Sequence, residues 1–176
     1  MSKFAAAAAL CAALFSSAAL ADPASERPIT PDDVKRGEYL VTVMSCTDCH
    51  TPGHFFGKPD MTKYLGGSDV GFAIPGLGYF YGSNLTPHDE KGLGKWSATE
   101  IVTALRTGVR PDGRILAPVM PWMSFSKLTD DDAFAIAAFL KSMPPVDNQS
   151  PPATGWGETP PGPYHQVTMP PGAGAP

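Results

Sequence analysis

Apolar residues recur at helical spacing in three separate stretches of the chain, and each stretch opens on a capping signal. The first begins at Thr30-Pro31-Asp32-Asp33. Threonine caps, proline suits the first helical position, and the acidic pair favours the positive end of the helix dipole. Val34, Leu40, Val41 and Met44 then line one face, so this helix is expected to run into Cys46. Gly37 lies within it and reads two ways, as the close approach of another helix or as a tolerated surface glycine. The second stretch starts at Ser97, with Glu100 at capping-box spacing; Ile101, Val102 and Leu105 form its buried face and Gly108 stops it. The third starts at Thr129 ahead of Asp130-Asp131-Asp132, carries Ala133, Ile136, Ala137, Phe139 and Leu140, and ends at Pro144-Pro145. Its alanines leave room for a second helix to come close.

Between the first two helices the pattern changes. From Thr51 to about Gly94 there is little sustained period, and Phe55, Phe56, Tyr64, Phe72, Tyr79, Phe80 and Tyr81 stand among frequent glycines. So long a stretch without helix makes sense if its loops pack on a large apolar group; the alternative is a few short strands, including a small hairpin. Arg110-Pro111-Asp112-Gly113 forms a turn. Beyond Pro145 the chain is rich in proline and glycine with no helical pattern. Trp156 and Tyr164 either pin part of this tail to the domain, the reading favoured here, or stand exposed in a linker. The expected architecture is mostly α, with three or more short helices, long glycine- and aromatic-rich loops, a domain over 22–146 and a tail over 147–176.

Residues 1–21 carry a different signature. Lys3 is their only charge, an Ala/Leu/Phe-rich run follows, and Ala19-Leu20-Ala21 offers a small-x-small cleavage site before Asp22, so export with removal of this segment is expected. Cys11 falls inside that segment, which leaves Cys46 and Cys49 as the thiols of the mature chain. Formal charge is −4 for the 176 residues and one unit more negative without Lys3. Basic residues are few and scattered, which argues against nucleic acid. No later stretch is long and apolar enough to span a bilayer.

The candidate chemistry is concentrated in Cys46-Thr47-Asp48-Cys49-His50. A C-x-x-C-H pattern can bind haem covalently: both sulfurs add to the two vinyl groups of one porphyrin edge, and the histidine lies beneath the iron as proximal ligand. A zinc site would need a second ligand pair, and a thioredoxin-like redox pair wants a βαβ context that this chain lacks. The iron's other face decides the function, because a methionine closes it and raises the potential, whereas an open site admits small molecules. Met120 is the leading distal candidate. It lies in Leu116-Ala117-Pro118-Val119-Met120-Pro121-Trp122, where two prolines stiffen the loop and lower the entropy lost on ligation. Met123 is the competitor. Met61, Met143 and Met169 read as packing residues, His54 is too near His50 to reach the opposite face, His88 as a turn residue, and His165 lies in the tail. No catalytic residues are assigned.

Taken together, the chain resembles a single-haem c-type cytochrome with its attachment motif near the N-terminus, and it is most similar to small cytochromes and cytochrome subunits serving periplasmic dehydrogenases of alcohols, aldehydes or sugar acids. The resemblance covers about residues 30–146. It rests on Arg36-Gly37-Glu38-Tyr39-Leu40, Cys46 to His50, Ser83-Asn84-Leu85-Thr86-Pro87, Gly92-Leu93-Gly94-Lys95-Trp96-Ser97, Leu105 to Arg114, Pro118 to Trp122 and Leu128 to Ala133. It implies a cytochrome c-like fold around one covalent haem c, with the methionine of the M-P-W loop, Met120, as distal ligand. It also implies that the first and last helices cross, which favours the crossing role for Gly37 and nearby Tyr39. Asn84 and Trp96 become candidates for contact with the porphyrin or its propionates. The implied activity is periplasmic electron transfer, from a dehydrogenase to an oxidase or another cytochrome. The alternatives are a haem subunit fixed in a dehydrogenase complex or a gas-binding sensor or enzyme. Larger dehydrogenase cytochrome subunits carry three haem motifs and a membrane-binding tail; with one motif and no such tail, membrane anchoring and direct quinone chemistry are not expected of this chain.

Overall fold

The two long helices of the fold, α1 (Pro31–Val43) and α5 (Asp130–Ser142), cross at a contact that only a glycine permits. A Cβ built on Gly37 would lie 1.9 Å from the Ala135 carbonyl oxygen and 2.7 Å from the Phe139 Cβ. Gly37 is therefore a helix-crossing residue. The computed structural model describes residues 27–171, so the export segment and Cys11 lie outside the described residues. Leu40 and Val41 from α1 meet Ala135, Ile136 and Phe139 of α5 in one buried cluster, and Ile101 and Leu105 join it from α3 (Ala98–Thr107). Tyr39 takes no part in the crossing, contrary to expectation. Two residues beyond Gly37 is about 200° around a helix, so the ring faces outward, 56% exposed, with the Arg36 guanidinium 5.4 Å from its centroid.

The three helices of ten or more residues start where the capping signals place them. Thr30 and Asp33 close a capping box on α1, Ser97 and Glu100 another on α3, and the Thr129 side chain accepts from the Asp132 amide at α5. Gly108 ends α3 in the left-handed conformation at φ +75°. The end of α1 differs from the reading of one helix running into Cys46. The Met44 amide still bonds to Leu40, but Ser45 adopts a left-handed φ of 56° and breaks the helix. A separate short helix, α2 (Cys46–His50), then begins in a new direction. Serine gives no local warning of this, because the left-handed region is one that glycine or asparagine would normally mark.

Residues 51–94 contain two 3-10 turns, at His54–Phe56 and Met61–Lys63, and a hairpin of β1 (Gly71–Ile74) and β2 (Gly78–Tyr81). The tail supplies both outer strands. β3 (Thr154–Gly155) pairs antiparallel with β2 and β4 (Tyr164–His165) pairs parallel with β1, giving the order β3-β2-β1-β4. Trp156 stacks on Tyr79 at 5.8 Å and 16°, Tyr164 meets the same ring edge-on at 4.9 Å, and His165 packs on Phe55 at 4.6 Å. Several aromatics of the middle stretch thus pack against the tail, which is why proline-rich sequence can be held without helix. A short helix of four residues, α4 (Trp122–Phe125), completes the set. Among the described residues no helix is long and apolar enough to cross a membrane.

Candidate haem site

On α2 the thiols of Cys46 and Cys49 lie three residues apart, one turn of helix, and so on one face. His50 follows and is buried. Its Nδ1 lies 2.7 Å from the Ser83 carbonyl oxygen. A carbonyl only accepts, so Nδ1 carries the proton and Nε2 keeps its lone pair for a metal. Burial holds the imidazole below its usual titration range, with the Ser83 contact opposing in part. The ring is neutral at pH 7, the form that ligates iron. The chain behind it is close: a Cβ on Gly82 would lie 1.6 Å from the Cys49 carbonyl oxygen.

Both thiols are unpaired. Burial pushes Cys46 up to about 11, and Cys49 is raised by burial and then by Asp48. Redox-active pairs do the opposite and lower a thiol pKa.

Cys46, Trp96 and Met120 all border the buried cluster that contains Leu40, Ile101 and Leu105. Met120 is half-buried there, in a turn closed by its own amide on the Ala117 carbonyl at 2.9 Å. Met123, one residue into α4, is 55% exposed. His88 is a turn residue whose Nδ1 accepts from the Glu90 and Lys91 amides. His54 lies 3.5 Å from Asp48, and Met61 and Met169 are exposed.

Asn84 is buried, but its side chain is fully engaged by the protein. The amide donates to the Val146 and Asn148 carbonyls at 2.7 and 3.0 Å, and Oδ1 accepts from the Thr86 amide and hydroxyl. No side-chain donor of Asn84 is left over for a propionate. Trp96 stays half-buried, with the Arg110 guanidinium 5.5 Å from its ring centroid.

Two residues that sequence reasoning passed over belong near this site. Arg110 Nε and Trp122 Nε1 are buried N–H donors with no hydrogen-bond partner among the described residues. Arg110 is half-buried, and burial followed by Arg114 lowers its pKa while Asp112, 3.6 Å from Nε, opposes. Trp122 lays its indole on Gly108, where an added Cβ would come within 2.8 Å. In the sequence, Arg110 belongs to a turn and Trp122 to an apolar loop, and neither signal reveals an unpaired donor. Buried donors are nearly always paired, so orphans here fit a bound group that brings acceptor oxygens. Haem c has them in its propionates. The donor set fits: two thiols on one face, a neutral buried imidazole fixed from behind, and N–H groups beside Trp96 and the Met120 loop.

The cytochrome c family model matches residues 34–144. The cytochrome c subunit of the quinone-type alcohol dehydrogenase of Gluconobacter oxydans is 39% identical over 107 residues, 61% of this chain and 20% of that relative. The fructose dehydrogenase cytochrome subunit of Gluconobacter japonicus is 35% identical over 120 residues, 67% of this chain and 23% of its own. The gluconate 2-dehydrogenase cytochrome c subunit of Pantoea cypripedii is 35% identical over 139 residues, covering 78% and 29%. The chain thus spans less than a third of the length of these relatives. With its attachment motif on α2, its buried histidine and a family match over well over half its length, the chain belongs to the cytochrome c family, as an electron carrier with covalently bound haem c.

Proposed function

We propose that this protein moves single electrons in the periplasm from a dehydrogenase to a respiratory acceptor. The observation that carries the proposal is the neutral, buried His50 held by Ser83 beside Cys46 and Cys49; the dehydrogenase side draws on relatives that are themselves named as dehydrogenase cytochrome subunits. Haem c bound there supplies a one-electron Fe(III)/Fe(II) couple. Cys46 and Cys49 would hold the haem covalently, and His50 and Met120 would ligate its iron. The half-buried position of Met120 against the core, beside an exposed Met123, supports that choice. Arg110 and Trp122 would donate to the haem propionates, with the Trp96 ring 5.5 Å from the guanidinium. The net charge of −4 suits a partner with a basic docking face, since complementary charge speeds encounter.

The test is to mix ferric holoprotein with a quinone- or flavin-dependent periplasmic dehydrogenase and its substrate. Reduction that proceeds while the spectrum stays low-spin is the expected result. Failure with every cognate donor rejects the carrier reading. The relatives' designation as subunits favours a second reading, a fixed place in one complex. Co-purification with a large catalytic subunit at a constant ratio distinguishes it from a diffusible shuttle.

A charge prediction follows from Arg110. A half-buried cation beside the haem would oppose the extra positive charge of the ferric state. Arg110→Gln is expected to lower the reduction potential, by up to about 59 mV for a tenfold change in a one-electron equilibrium. Arg110→Lys keeps the charge and recovers part of the shift. A redox titration reads both.

A further inference from the structure

The family match ends at residue 144, yet the segment just beyond it packs directly behind the haem-ligating histidine. The Ser150 hydroxyl donates to the Gly82 carbonyl at 2.6 Å, and the same oxygen accepts from the Ser68 amide at 2.8 Å. Ser150 is itself buried, and its Oγ lies so close to Gly67 that a Cβ there would approach within 2.1 Å. Gly67 in turn donates its amide to the His50 carbonyl at 2.8 Å. On the other side of Ser83, the Asn84 amide is held by the Val146 and Asn148 carbonyls, and the Val146 amide donates to the Thr86 hydroxyl at 2.9 Å. Asn148 closes the frame by donating to the Gly66 carbonyl at 2.9 Å.

Ser83 has no side-chain anchor of its own in this frame and is exposed. Its carbonyl is nevertheless the acceptor that fixes the His50 ring. Residues 82 and 84, which bracket it, are the ones that the tail grips. We propose that Ser150 is a positioning residue for the proximal ligand: by clamping Gly82, the tail sets the length and direction of the His50–Ser83 hydrogen bond and so tunes the reduction potential. The physical link is ligand basicity. A strong Nδ1–H bond gives the imidazole more anionic character, which favours ferric iron, and a loosened acceptor relaxes it.

This inference rests on His50 as the proximal ligand. The experiment compares holoprotein of wild type, Ser150→Ala and Trp156→Ala by redox titration, by the proton resonance of the His50 Nδ1–H in the ferrous state, and by thermal unfolding. Trp156→Ala is the control, because it loosens the tail at Tyr79 without touching Gly82. Ser150→Ala is expected to raise the potential by a roughly threefold to tenfold change in electron affinity, with 59 mV as the tenfold end, and to move the His50 proton upfield. Trp156→Ala is expected to lower the melting temperature and leave both redox readouts in place. An unchanged potential and proton in Ser150→Ala, whatever its stability, overturns the proposal. Equal redox shifts in both variants overturn it as well, since they report general loosening. If the His50 Nδ1–H resonance is absent from the wild-type ferrous holoprotein, the His50 assignment has failed and the clamp falls with it.

Discussion

Met120→Ala is expected to convert a ferrous protein that ignores carbon monoxide into one that binds it at once. On the proposed ligation the wild-type spectrum is expected to stay low-spin because the Met120 thioether closes the distal face, and its removal would leave the iron one ligand short. The loop would let so weak a ligand hold. Pro118 and Pro121 flank the methionine, the Met120 amide bonds to Ala117, and its carbonyl accepts from the Trp122 amide at 2.8 Å. Little entropy remains to be lost when sulfur meets iron. The potential is expected to fall by on the order of 0.1 V or more, within the ~0.8 V range that axial ligation spans. Met123→Ala, at an exposed position, is expected to change neither readout. Should Met123→Ala open the iron while Met120→Ala does not, the two assignments exchange. Prompt carbon monoxide uptake by the wild type would instead favour the gas-binding alternative over the carrier.

How much of this was legible in the sequence depends on the range over which each signal acts. Capping boxes, the Gly108 stop and the C-x-x-C-H motif are local, and the structure places Thr30, Ser97 and Thr129 at the three helix starts they mark. The break at Ser45 is a local event without a local residue signal, because serine is not a residue that marks the left-handed conformation it adopts. Tyr39 shows the limit of carrying a neighbour's role along a helix: adjacency in sequence places it on the wrong face. Long-range pairing was the least readable. Asn84 carries a haem-contact reading from its place in the chain, while its four hydrogen bonds reach residues as far as Asn148. The tail strands are two residues each and have no period to detect. Nor does an Arg110 Nε without a hydrogen-bond partner among the described residues exist as a fact until the fold has buried it.

Gly37→Ala carries the largest expected loss of stability. In an exposed helix the change would stabilise by about 1 kcal/mol, since alanine is the better helix former. Here the new methyl would sit 1.9 Å from the Ala135 carbonyl oxygen. That atom is backbone, so no rotamer change relieves the clash, and the two helices must separate. Overpacking of this kind costs about 1–3 kcal/mol and at times more. Moving helices whose shared face includes Leu40, Val41, Ile136 and Phe139 places the site at the upper end. A net loss of about 2 kcal/mol or more is expected, which for a domain of this size lowers the melting temperature by about 8 °C. The effect should extend beyond stability, because α1 delivers the chain to Ser45 and thence to Cys46 and His50. Tyr39→Ala, on the outward face of the same helix, is expected to stay within about 0.5 kcal/mol of wild type. A Gly37→Ala protein that melts higher than wild type would mean that helix propensity outweighs the contact. The crossing would then be wider than 1.9 Å implies, and Gly37 would return to the surface-glycine reading.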